Sequence, residues 1–167
     1  MEKLDSYKVN LKGMPSDTVS YQWRVDDDFF SAVQGPEVQH GSLDVALRVK
    51  RTSGAYELTF QLDGTVKVQC DRCMELMDLP IQTQCELRVK LGDDFSDDGD
   101  LVTIPYEDGT FNVAWNLYEM IALEIPLRHV HADGPCASQN VEEASEAESQ
   151  KPTDSRWDEL KKLMTNK

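Results

Sequence analysis

Strict alternation of apolar and polar residues constrains this chain more than any other feature. Leu43, Val45, Leu47 and Val49 recur at a period of two. So do Tyr56, Leu58, Phe60 and Leu62, and then Leu79, Ile81, Thr83, Cys85, Leu87, Val89 and Leu91. A period of two places one face of an extended chain in a core and the other in water, which excludes a helical bundle and points to antiparallel strands. Cys85 belongs to the inward set, opposite Gln82, Gln84, Glu86, Arg88 and Lys90. Weaker alternation at Tyr7, Val9, Leu11 and at Val19, Tyr21, Trp23, Val25 predicts two more strands, separated by a loop at Gly13 and Pro15. Asp63-Gly64 has the composition of a two-residue type I′ turn and predicts a hairpin between Tyr56–Leu62 and Val66–Cys70. Asp26 to Asp28 offer caps for a short helix through Phe29 and Val33, stopped by Gly35-Pro36.

A second helix is predicted from the Asn112 cap to Pro126, because Val113, Leu117, Met120, Ile121 and Ile125 recur at spacings of three and four. The expected class is α+β: an antiparallel, partly barrel-like sheet of about six or seven strands with one long helix packed across it. Residues 1–136 are expected to form this domain. Residues 137–153, rich in Ala, Ser, Glu and Gln, have too few apolar groups to offset their ordering entropy and read as a flexible acidic linker. Residues 154–167 read as a C-terminal helix with Trp157, Leu160, Leu163 and Met164 on one side.

Charge narrows the range of partners. Seventeen basic and thirty-one acidic residues leave a net charge of −14, so the molecule as a whole repels phosphate backbones and anionic membranes. A broad grip on DNA or RNA is excluded on that ground. The first ten residues carry no apolar leader segment, and no apolar run approaches the roughly 20 residues that span a bilayer. The expectation is a cytoplasmic protein with no membrane partner. Seven of the carboxylates fall between Asp93 and Asp108 without a Lys or Arg among them. This stretch reads as a solvated acidic loop with one short strand at Leu101–Ile104.

Four cysteines are too few for a disulfide scaffold, but Cys70 and Cys73 form a Cys-x-x-Cys pair between two strand patterns. A tight turn can point both thiolates at one ion, and a closed tetrahedral zinc site then needs two further ligands. Cys136 and one of the two nearby histidines, His131 or else His129, supply suitable groups. Two other readings stay open. The cysteines can serve as small core residues, or the pair can be a redox dithiol. The redox reading is the weaker, because the flanks look like strands and Asp71 and Glu75 oppose thiolate formation. No Gly-x-Ser-x-Gly elbow, Walker loop or Gly-x-Gly-x-x-Gly is present, and no catalytic residue is assigned.

The order of these elements carries a resemblance. Val68, Cys70, Arg72, Cys73 and Glu75 are followed by the long strand, the acidic loop and a helix ending in Leu123, Ile125 and Pro126. A further cysteine and a terminal Asp154, Arg156, Trp157 and Leu160 complete the series. From about Val45 to Leu163 the chain resembles the YceD-like family, the large ribosomal RNA subunit accumulation proteins. The resemblance implies a role in the synthesis, processing or stability of large-subunit ribosomal RNA, with no enzymatic activity attached. Similar proteins often keep the Cys-x-x-Cys, here Cys70 and Cys73, and many have two or more cysteines after the helix, where this chain has Cys136 with His129 and His131 nearby.

Set beside the −14 charge, that role is expected to be non-enzymatic: an acidic adaptor for a basic ribosomal protein or a large-subunit assembly intermediate. Asp93, Asp94, Asp97 and Asp98 in the acidic loop, and Arg156, Trp157 and Leu160 in the terminal helix, are the expected contact residues. One alternative is an RNA chaperone that touches RNA directly through Arg88 and Lys90 on the polar face of the long strand. Another is a zinc- or thiol-dependent enzyme.

Overall fold

The structure, a computed structural model, describes residues 2–99, 101–131 and 136. All of its regular secondary structure lies in one compact unit, Met1–His129. After a 3₁₀ segment, Glu2–Tyr7, come β1 (Lys8–Asn10), β2 (Thr18–Val25), α1 (Asp27–Val33), β3 (His40–Arg51), β4 (Tyr56–Gln69) and β5 (Leu76–Gly92). Then follow β6 (Ser96–Asp97), β7 (Leu101–Pro105), β8 (Thr110–Asn112) and α2 (Ala114–Leu123).

Six strands form one sheet in the order β2-β3-β4-β5-β7-β6, and β1 pairs with β8 in a separate ribbon. The class is α+β, as the alternation predicts. The partly barrel-like closure is corrected: β2 and β6 are the sheet's two edges and do not pair with each other. The sheet is also not wholly antiparallel, because β7 runs parallel to β5, with Arg88 opposite Leu101 and Gly92 opposite Pro105. Pro80 sits where β4 pairs with β5 and β7 does not, the side of a strand on which a missing N–H is tolerated.

The expected hairpin at Asp63-Gly64 is also corrected. β4 runs unbroken through it, with Asp63 opposite Asp44 and Gly64 opposite Leu43. The reason lies in the phase of the alternation. A two-residue turn would bring Thr65 opposite Leu62, burying Thr65 and Lys67 and exposing Val66 and Val68. Leu58, Leu62, Val66 and Val68 instead keep one phase, and all four are buried. Gly64 serves close approach, since a Cβ there would come within 2.3 Å of the Ser42 carbonyl oxygen.

The core lies between the inner face of the sheet and the two helices. Phe29 and Phe30 of α1 and Leu117, Tyr118 and Ile121 of α2 are buried against Leu43, Leu47, Leu58, Phe60 and Val89. Asp26 caps α1, its carboxylate accepting from the backbone N–H groups of Asp28 and Phe29 at 3.1 and 3.3 Å. Asn112 lies one residue outside the position expected for the α2 cap. Val113 is the cap residue, and the Asn112 side chain accepts from Ala114 N–H at 3.0 Å. The Tyr118 hydroxyl fastens α2 to the chain after α1 by accepting from Glu37 N–H at 2.8 Å. The expected linker, 137–153, and the helix of 154–167 lie outside the described residues. No helix among the described residues is long and apolar enough to cross a membrane.

Candidate functional site

β4 and β5 are joined by Cys70–Glu75, a tight knuckle that closes on itself. Cys70 N–H donates to the Glu75 carbonyl and Met74 N–H to the Cys70 carbonyl, both at 2.9 Å. Arg72 N–H points at Cys70 Sγ at 3.4 Å, a donor placed to stabilise negative charge on that sulfur. Met74, at φ 63°, takes the left-handed conformation that lets the chain leave the knuckle and enter β5.

Asp71 ties this knuckle to the segment after α2. Its backbone N–H donates to the His129 carbonyl at 2.9 Å, and its carboxylate accepts from His129 N–H at 2.7 Å. The His129 ring is turned to the Pro126 carbonyl, 3.1 Å from Nδ1, and to the Asp71 carboxylate, 3.7 Å from Nε2. His129 therefore acts as a tether through its main chain, and His131, not His129, lies close to the cysteines.

Cys70, Cys73, His131 and Cys136 each offer one ligand atom, and these four atoms lie within 4.8 Å of one another. Cys70 and Cys136 are buried; Cys73 and His131 are half-buried. Three sulfurs and one imidazole form a soft donor set suited to Zn²⁺. A tetrahedral zinc with Zn–S near 2.3 Å holds its ligands roughly 3.8 Å apart, a spacing that falls inside the 4.8 Å that bounds these four atoms. Cys85 is not among the four donors; its sulfur is 3.9 Å from Thr83 Oγ1 in the middle of β5.

The other end of β5 leads into the acidic stretch. Asp93, Asp94, Asp97 and Asp98 are all exposed, as expected of a solvated loop, although Ser96–Asp97 pairs with β7 as a short edge strand. From Leu91 to Leu127 the chain holds nine carboxylates and no Lys, Arg or His. Three large aromatic residues lie exposed in this stretch: Phe95, Tyr106 and Trp115. The sequence reading missed them. Trp115 falls off the apolar stripe of α2, two residues from Val113, and that displacement was the available signal.

Arg88 and Lys90 are exposed on the outer face of the sheet, where carboxylates are interleaved with the cations. Arg88 lies opposite Glu57, Lys50 lies opposite the same Glu57, and Arg24 lies opposite Asp44. Lys90 lies opposite Thr103. At the edge of this face Lys67 bonds Asp78 at 2.8 Å, which raises the Lys67 pKa. Arg156, Trp157 and Leu160 lie outside the described residues.

An open α+β sheet carries a cysteine knuckle at one end of β5 and, at the other, an acidic stretch with no Lys, Arg or His between residues 91 and 127, so the described residues offer converging ligands and charged surface. A family model described as "Large ribosomal RNA subunit accumulation protein YceD" matches residues 58–164, more than half of the chain, and the chain belongs to this family. The family name carries a role in large-subunit ribosomal RNA accumulation and names no reaction. Searches of curated proteins and of solved structures found no significant match.

Proposed function

We propose that the chain serves large-subunit ribosomal RNA accumulation as a non-enzymatic cytoplasmic adaptor. Its acidic stretch contacts a basic ribosomal protein or a large-subunit assembly intermediate. The observation that carries this reading is the separation of charge. Nine carboxylates without a cation occupy residues 91–127, whereas on the sheet Arg24, Lys50, Lys67 and Arg88 each lie opposite a carboxylate on a neighbouring strand. A surface of one sign steers and orients a partner of the opposite sign, and it repels phosphate. Direct RNA contact through Arg88 and Lys90 is disfavoured on the same ground, since Glu57 beside Arg88 offsets the local field that a phosphate would need. Affinity purification of the tagged chain from its own lysate, with and without RNase, tests the proposal. Ribosomal proteins that survive RNase support the adaptor; their loss on RNase treatment, with precursor ribosomal RNA recovered in its absence, contradicts it.

The cysteine and histidine cluster supports a second element of this reading. Cys70, Cys73, His131 and Cys136 would hold one Zn²⁺ as a structural ion, with all four positions filled by protein and none left open for a substrate. Its contribution would be to stabilise the β4–β5 knuckle that carries Cys70 and Cys73. Metal analysis of chain purified without chelator should give one zinc per molecule, and a metal-free preparation that keeps its full thermal stability would contradict the assignment.

A further inference from the structure

Beside the acidic edge strand lies a groove of about 300 Å³, formed where β6 and β7 approach the start of α2. Its floor holds Val102, Ile104 and Phe111, which are buried. Phe95, 63% exposed, and Trp115, 51% exposed, also line it. Asp97 and Asp108 place carboxylates in the same lining. The volume sits at the lower bound of ligand pockets, roughly 300–1,000 Å³, and suits one inserted side chain better than a cofactor.

The indole of Trp115 is held in place. Its Nε1–H donates to Glu119 Oε1 at 2.7 Å, and its ring meets that of Tyr118 at a centroid distance of 5.6 Å. With its only donor engaged, the indole offers a partner its π face, and a planar cation is the group that such a face attracts most strongly. Carboxylates on the same groove select a guanidinium over an ammonium, because the guanidinium stacks, sheds its hydration more easily and pairs with a carboxylate in two-point fashion. Lys12 is a nearby cation, but its Nζ donates to the Tyr106 carbonyl at 3.4 Å.

We infer that this groove is an arginine-reading site: one arginine of an extended basic protein segment stacks on Trp115 and pairs with Asp97 or Asp108, while neighbouring cations of that segment run along Asp93, Asp94 and Asp98. The inference rests on the adaptor reading and gives it a specific contact. Charge complementarity identifies the occupant, for residues 91–127 carry only carboxylates.

The test is titration of the full chain with a synthetic decapeptide rich in arginine and with its all-lysine counterpart, followed by calorimetry at two salt concentrations. Saturable binding is expected with the arginine peptide and about tenfold weaker binding with the lysine peptide. Trp115→Ala should weaken the arginine peptide by about tenfold, Trp115→Phe by much less because a ring face remains, and Asp97→Asn by more than Asp93→Asn. The half-exposed position of Trp115 makes these variants mild for folding, and far-UV circular dichroism checks that they are. Equal affinity for the two peptides, or an unchanged affinity in Trp115→Ala, would overturn the inference. Capture from RNase-treated lysate separates the two proposals. Ribosomal proteins retained by Trp115→Ala as by the parent overturn the groove and leave the adaptor standing, whereas none retained by the parent overturns both.

Discussion

The two ends of β5 are built on opposite plans. At Leu76 the strand emerges from the knuckle, where three thiols and an imidazole lie within 4.8 Å of one another and Asp71 donates one hydrogen bond to His129 and accepts another from it. At Gly92, the last of the strand's 17 residues and roughly 50 Å along an extended chain, it releases a stretch in which Asp93, Asp94, Asp97 and Asp98 are exposed to solvent. Converging soft donors with buried members suit something small, a single ion. Exposed charges of one sign beside exposed rings suit something large. On the proposed reading, the first end stabilises the molecule and the second meets its partner.

The largest expected effect breaks the first end without touching the second. Cys73→Ser or His131→Ala should abolish stoichiometric zinc, and chelation of the parent should lower its Tm, while the affinity for an arginine-rich segment at the acidic end stays within about twofold. His129→Ala sharpens the comparison, because it removes the imidazole but keeps both main-chain bonds to Asp71 and should leave zinc bound, whereas loss of zinc in that variant would make His129 the ligand in place of His131. A smaller effect belongs to neither end. Asp26→Ala removes the cap of α1 and should cost about 1 kcal/mol of stability by denaturant unfolding, with zinc content and binding unchanged.

The smallest effect is a pH dependence. The hydrogen bond from Gly41 N–H, 3.0 Å from Asp27 Oδ1, holds the Asp27 carboxyl below its ordinary value of 3.8, with His40 contributing. A folded-state value below the unfolded one adds stability above the unfolded value, and that stability is lost as the pH falls through the folded value. Asp27→Asn should therefore lower Tm slightly at neutral pH, and the gap from the parent should close as the pH drops below 3.8. A gap that widens in acid would reverse the sign of this contribution.

Much of the fold was legible because alternation is dictated by the backbone itself. β2, β3 and β5, and the capped α1, follow from residues whose neighbours in sequence determine their face. Asp63-Gly64 misled because turn composition is a two-residue signal, whereas the phase of Leu58, Leu62, Val66 and Val68 is a signal over eleven residues, and the longer one wins. Closure of the sheet and the parallel pairing of β7 depend on contacts between distant segments, which no local pattern encodes. The cysteine pair was readable from spacing, and Cys70, Cys73, His131 and Cys136 lie close to one another. The tethering role of Asp71 was not, because a carboxylate beside a thiol reads as a charge until its hydrogen bonds are seen. Phe95 and Trp115 stayed hidden for a related reason: an aromatic residue in a sequence is assigned to a core by default.

The most direct test of the central claim compares two variants in RNase-treated affinity capture from the native lysate. One replaces Asp93, Asp94, Asp97 and Asp98 by Asn, and the other carries Arg88→Glu with Lys90→Glu. The account predicts that the first loses its ribosomal protein partners and the second keeps them. Partners retained by the first and lost by the second would contradict it, and would move the contact from the acidic end of β5 to the outer face of the sheet.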